Sequence, residues 1–161
     1  QTDALTGVYN KENTQNMIDE ILRKKDPDSF HGFLILDMDH FKEVNDVYGH
    51  AMGDKVLEML GNFLKKQFRE QDVIGRIGGD EFVILLYNIG SRQNMENRVK
   101  SLQEKIREIH MDGMEGHTFT LSAGIAFAPQ DGDTFMELYQ KADLALYQVK
   151  RSGRNGYRIY K

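Results

Sequence analysis

The chain contains no cysteine. That excludes a disulfide framework and a thiolate metal site, so any metal must sit on harder donors. The absence fits a reducing compartment, and a cytoplasmic location is the expectation. Proline is almost as scarce, with Pro27 and Pro129 the only two. No low-complexity linker and no internal repeat interrupts the sequence, so residues 1–161 read as one domain. No apolar run approaches the ~20 residues a membrane-spanning helix requires, and no membrane contact is expected. The opening residues carry no signal-peptide pattern and run almost directly into structure. The expectation is a domain cut from a longer multidomain protein, whose missing part is free to be membrane-anchored. An excess of positive charge is lacking too: 21 Lys and Arg face 25 Asp and Glu, for a net charge of -4. Bulk electrostatics therefore do not attract nucleic acid or another polyanion, and a nucleotide must be held by local groups or a metal.

What is present is a hydrophobic fraction of 40%, enough for one core. Asn10 is placed to cap a helix reaching about Lys25, with Met17, Ile18, Ile21 and Leu22 inward. Phe33 to Leu36 predicts a buried strand ending in acids. A second helix is predicted from about Gly53 to Phe68, on Val56, Leu57, Leu60, Phe63 and Leu64. Val73–Ile77 and Phe82–Leu86 read as strands around a Gly-Gly turn. Arg92 to about His110 forms a charged amphipathic pattern with Val99, Leu102, Ile106 and Ile109 inward. From Phe119 to Phe127 apolar residues alternate with Thr120, Ser122 and Gly124. A last helix is predicted over roughly 134–150, ended by Gly153, before a short strand in Tyr157–Tyr160. Helices alternating with strands and one hairpin predict an α+β sandwich on a mostly antiparallel sheet.

The motif RIGGDEFVILL, residues 76–86, sets two acids behind a flexible glycine pair within an apolar run. A second acidic cluster, Asp37-Met38-Asp39, closes the first strand. Carboxylates on two neighbouring strand ends make a hard oxygen site suited to Mg²⁺ or Mn²⁺ bridging to phosphates. Neighbouring strand residues point to opposite faces, so Asp80 and Glu81 differ in role unless the turn distorts them. Taken singly, each cluster also fits a turn with solvated charges.

Gly78-Gly79-Asp80-Glu81-Phe82 is the signature of the GGDEF family of diguanylate cyclases, and the resemblance covers essentially the whole chain. Asp3–Asn10 is similar to the family's entry motif. Asp37–Lys42, Asn45-Asp46, Tyr48–His50 and Gly53-Asp54 resemble its second block. Ser122–Ala126 resembles its later strand, and Ala142-Asp143, Ala145–Tyr147, Lys150 and Gly153–Asn155 its closing helix and tail. The resemblance implies a palm-like ferredoxin-type fold, akin to nucleotide cyclases. It implies condensation of two GTP into cyclic di-GMP and two pyrophosphates, with one GTP per domain and two domains meeting as a homodimer. A 3′-hydroxyl attacks the α-phosphate of the partner nucleotide.

By that resemblance Asp37, the Met38 carbonyl and Asp80 are metal ligands, for two Mg²⁺ or Mn²⁺ ions per GTP. Asp80 is also a candidate base. Glu81 either helps hold a metal or takes the 3′-hydroxyl proton. Asp39 shares a face with Asp37 in a regular strand, and either supports the ligands or holds the local structure. Asn45 and Asp54 match positions that read guanine, since a carboxylate accepts from its N1 and N2 hydrogens. The alternative is that both cap the second helix. His50 either sits near the base or packs. Lys42, Lys150 and Arg154 match phosphate contacts. Arg69 and Asp72 match an Arg-x-x-Asp site at which cyclic di-GMP inhibits the enzyme. A non-catalytic GTP or cyclic di-GMP sensor is the alternative function, and a metal-stabilised scaffold the third. Intact Asp37, Asn45, Asp54, Asp80 and Glu81 favour catalysis.

Overall fold

In a computed structural model describing residues 1–161, five strands form one sheet flanked by helices on both faces. The chain order is α1 (Lys11–Arg23), β1 (His31–Met38), α2 (Phe41–Tyr48), α3 (His50–Gln67), β2 (Val73–Gly78), β3 (Glu81–Leu86), α4 (Arg92–Arg107), β4 (Leu121–Ala128), α5 (Phe135–Arg151) and β5 (Tyr157–Ile159). The strand order is β2-β3-β1-β4-β5, antiparallel throughout except for the parallel β4–β5 pair. This is the expected mostly antiparallel α+β sandwich.

Side-chain alternation splits the core in two. Leu34, Leu36 and Met38 of β1 join Phe119, Leu121, Ala123, Ile125 and Phe127 in the cluster that α2, α3 and α4 cover. Phe33 and Ile35 face the other way, into the cluster with Ile18 and Leu22 of α1 and Leu138, Ala142 and Leu146 of α5. The small face of β4 has a packing cause. A Cβ built on Gly124 would lie 2.1 Å from the Ala142 carbonyl oxygen, so α5 rests directly on the strand. Asn10 caps α1 by accepting from the Asn13 amide, and Thr134 caps α5 by accepting from that of Glu137.

Several boundaries differ from the sequence expectation. The second predicted helix starts at His50, not Gly53, and an unforeseen helix, α2, precedes it. The two are separated by Gly49, whose φ of 90° suits glycine. Neither Asn45 nor Asp54 caps: Asn45 lies inside α2, and α3 begins without a side-chain cap. β1 is longer than predicted because His31, Gly32, Asp37 and Met38 all pair with β4. α4 stops at Arg107, leaving Ile109 packed on the core from the following loop.

Candidate functional site

Asp37 is the penultimate residue of β1, directly opposite Glu81 on β3 and Ser122 on β4. Its parity with Phe33 and Ile35 turns it toward α5. There the Lys150 ammonium donates to Asp37 Oδ2. The other oxygen, Oδ1, is buried without a hydrogen-bond partner. Burial pushes the Asp37 carboxyl up; Lys150 opposes that, while Asp143 and Asp39 add to it. Burial works against the charged Lys150 ammonium, but its bond to Asp37 and the charges of Asp37, Asp80 and Glu81 together outweigh this, and the net shift is upward.

Gly78 pairs with Glu81, so Gly79 and Asp80 form the turn itself. Strand alternation therefore does not govern Asp80. It lines a cavity of about 400 Å³ with Asp37, Met38, Asp39, His40, Lys42 and Asn45, and with Lys150 and Arg154 beyond. Burial, and then the charge of Asp37, push Asp80 up to about 6. Glu81 does not line this cavity; one of its oxygens accepts the Tyr139 hydroxyl. Burial raises Glu81 and the Tyr139 bond partly offsets it. The Tyr139 phenol is raised in turn, by burial and by the Glu81 charge.

Asp39 is buried and fully engaged. It accepts from Thr120 Oγ1 at 2.6 Å, Ser122 Oγ at 2.6 Å and the Asn155 amide at 3.0 Å. The last bond fixes the turn after α5, where Arg154 and Asn155 hold left-handed φ values of 67° and 48°. Arg154 thereby reaches the cavity edge. These bonds fit the local-structure alternative for Asp39: its carboxylate is taken up by two hydroxyls and a backbone amide at the cavity wall, while Asp37 keeps one oxygen without a partner.

The structure brings together Asp37, Met38, Lys42, Asn45, Asp80, Lys150 and Arg154. His50 and Asp54 stand exposed in the first turns of α3, outside that lining. Asn45 connects the two regions. A Cβ on Gly53 would come within 1.8 Å of Asn45 Oδ1, so the amide lies against the residue preceding Asp54. Arg69 and Asp72 are elsewhere. The Asp72 side chain accepts from the Arg69 amide and from the Tyr87 amide, each at 2.9 Å. Arg69 lines a separate cavity of about 330 Å³ with Asn94, Asn97 and Arg98. No three His, Asp or Glu side chains are gathered so as to surround a cation by themselves.

Sequence reasoning missed Tyr139, the grip of Thr120 on Asp39, and Arg98. Tyr139 follows the buried Leu138 in α5, and alternation places Thr120 and Ser122 on the small or polar face. Neither pattern named the acid each would meet.

The fold is of the nucleotide-cyclase-like α+β class, with acids at strand ends opposed by Lys150 of the last helix and Arg154 of the turn after it. Residues 1–156 match the family described as diguanylate cyclase, GGDEF domain, and the chain belongs to that family. Diguanylate cyclase DgcS of Shewanella oneidensis is 35% identical over 98% of this chain, which spans 52% of that protein. Cyclic di-GMP phosphodiesterase PdeR of Escherichia coli is 31% identical over 99% of this chain, which spans 24% of it. The chain thus covers between a quarter and a half of these relatives. The GGDEF domain of Pseudomonas aeruginosa TpbB (YfiN) superimposes with a TM-score of 0.93 at 31% identity, covering 100% of this chain and 95% of that one. A microbial GGDEF domain described with bis-(3′,5′)-cyclic di-GMP is 29% identical, with a TM-score of 0.81 over 99% of this chain and 94% of its own. No helix is long and apolar enough to cross a membrane.

Proposed function

We propose that this domain condenses two GTP into cyclic di-GMP and two pyrophosphates. The observation that carries the reading is the shared cavity. Asp37 and Asp80, from separate strand ends, meet there with Lys42, Asn45, Lys150 and Arg154. Acids for a cation, bases for phosphates and an amide for a nucleobase are the groups this reaction needs.

The donor set fits a hard divalent cation, Mg²⁺ or Mn²⁺. Asp37 Oδ1 is buried with no hydrogen-bond donor, as expected of an oxygen reserved for a metal. Asp37, Asp80 and the Met38 carbonyl would hold it, with Glu81 nearby and phosphate oxygens completing the shell. When bound, such an ion neutralises charge building on the α-phosphate and eases ionisation of the attacking hydroxyl.

Lys42, Lys150 and Arg154 bind the triphosphate, and Asn45 with Asp54 reads guanine. The 3′-hydroxyl of one nucleotide attacks the α-phosphorus of the other, and pyrophosphate leaves. Asp80 lines the cavity and Glu81 does not, which favours Asp80 as acceptor of the hydroxyl proton. Each domain holds one GTP, so two copies must meet face to face. Arg69, with Asp72 holding its backbone, forms a second site at which the product slows the enzyme. Its position in a cavity with Arg98 supports that role, as guanidinium groups suit both guanine faces and phosphates.

The test is turnover of GTP with Mg²⁺ and identification of the product by mass spectrometry. Cyclic di-GMP and pyrophosphate are expected, with none from Asp80→Ala and none when ATP replaces GTP. Wild-type turnover by Asp80→Ala would refute the assignment of the acids. Saturable GTP binding without any product would instead leave a sensor.

A further inference from the structure

We propose that Tyr139 is a positioning residue for the acidic cluster. Its hydroxyl holds the Glu81 carboxylate in the orientation that cation binding at Asp37 and Asp80 requires. The inference rests on the reading of the cavity as a metal-dependent nucleotide site.

Three observations support it. Asp37 and Glu81 are register partners on β1 and β3, so both side chains project from the same face of the sheet toward α5. Each meets one donor from that helix: Lys150 donates to Asp37, and the Tyr139 hydroxyl to Glu81 Oε1. The two donors lie about three helical turns apart, which returns them to the same side of α5. One helix face thus serves both acids of a register pair.

The phenol ring is also held by aromatic neighbours. Its ring stacks on Phe135 with centroids 5.7 Å apart, and Phe135 meets Phe33 edge-on at 5.6 Å. Phe33 belongs to β1, the strand that ends in Asp37. An aromatic chain therefore ties the Tyr139 ring to the strand bearing a metal ligand. A carboxylate beside a cation needs its orientation set by an outer hydrogen bond, and loss of such a partner commonly costs 10- to 100-fold in affinity or activity. Glu81 has no other hydrogen-bond donor from the protein among its contacts, so the tyrosine alone supplies this restraint.

Tyr139→Phe removes the hydroxyl and keeps the stacking ring. Binding of Mn²⁺ to the nucleotide-free domain, followed by electron paramagnetic resonance, should weaken about tenfold. In steady-state assays kcat should fall about tenfold while the KM for GTP stays within about twofold, because Tyr139 is outside the nucleotide cavity. In a Glu81→Gln background the same change should cost no further Mn²⁺ affinity. A merely structural tyrosine would lower the melting temperature equally in both backgrounds and leave Mn²⁺ affinity unmoved. Unchanged Mn²⁺ binding by Tyr139→Phe, or full additivity with Glu81→Gln, would overturn the inference alone. Failure of the unaltered domain to take up Mn²⁺ would overturn the reading of the cavity, and the inference with it.

Discussion

The Asp39 carboxylate accepts the backbone N–H of Asn155 at 3.0 Å, joining positions 116 residues apart. It links the end of the central strand to the turn that presents Arg154. Asp39→Ala would leave three donors unpaired, two hydroxyls and this amide. Hydrogen bonds to a charged acceptor contribute about 1.5–3 kcal/mol each, and part of that returns through water. A net loss of about 2–4 kcal/mol in chemical denaturation is expected, with a raised KM for GTP as the Arg154 turn loosens. An unchanged denaturation midpoint would show that the Asp39 bonds contribute nothing to the fold.

Gly53→Ala should damage nucleotide recognition while sparing the fold. Alanine favours a helix by about 1 kcal/mol over glycine, which offsets local crowding. The new methyl would meet Asn45 Oδ1 at 1.8 Å and drive the amide from its place. The KM for GTP should rise about tenfold, the loss expected for a displaced hydrogen-bonding group, with the melting temperature little changed. A variant with native KM would mean that Asn45 does not read the base.

Arg69 and Asp72 should separate cleanly by mutation. The Asp72 side chain is wholly buried and caps two backbone amides, whereas that of Arg69 is 44% exposed. Arg69→Ala removes bonds from a partly exposed guanidinium to the Tyr87 carbonyl and Asp72, so it should lose only about 1 kcal/mol and raise product accumulation by weakening feedback. Asp72→Ala should lose about 2–3 kcal/mol, because two partly buried amides lose a buried carboxylate acceptor. Equal denaturation curves for the two variants, or unchanged inhibition by cyclic di-GMP in Arg69→Ala, would contradict this division.

Stability should depend on pH through His31, at the opposite end of β1 from Asp37. It is buried at the start of β1, and its Nδ1 accepts the Asn88 amide at 2.9 Å. Burial holds its pKa below the ordinary 6.5, with Asp26 opposing. The folded state therefore favours the neutral ring. The stability it contributes is present above pH 6.5 and is lost as pH falls through the lower folded value. Denaturation midpoints measured from pH 7.5 to 5 should fall more steeply in the unaltered protein than in His31→Asn, which keeps an acceptor. The difference should amount to less than one proton taken up on unfolding, and parallel profiles would exclude His31 as its source.

Most of the fold was legible because its signals are local. Asn10 and Thr134 stand before amphipathic runs, and Phe119–Phe127 alternates strictly. α2 escaped notice because Val44 is its only buried residue and His40 begins it in a left-handed conformation without a side-chain cap. Spacing alone took Asp37 and Asp80 as far as a divalent-cation, phosphate-handling site on two strand ends; the finer roles proposed for them rest on the family signature. The contacts of Tyr139 with Glu81 and of Asn155 with Asp39 depend on how a late helix and its turn settle over early strands. No short window of sequence contains both partners.

The absent side chain at Gly124 has a consequence for the ionic balance of the cavity. The sheet supplies the anions and α5 the ammonium that offsets them, so neutrality depends on the spacing of two layers. That spacing is set by bare backbone at Gly124, against the Ala142 carbonyl and the Leu146 amide. A methyl group there would act as a wedge, and its first electrical effect would be felt by Asp37 as Lys150 withdrew.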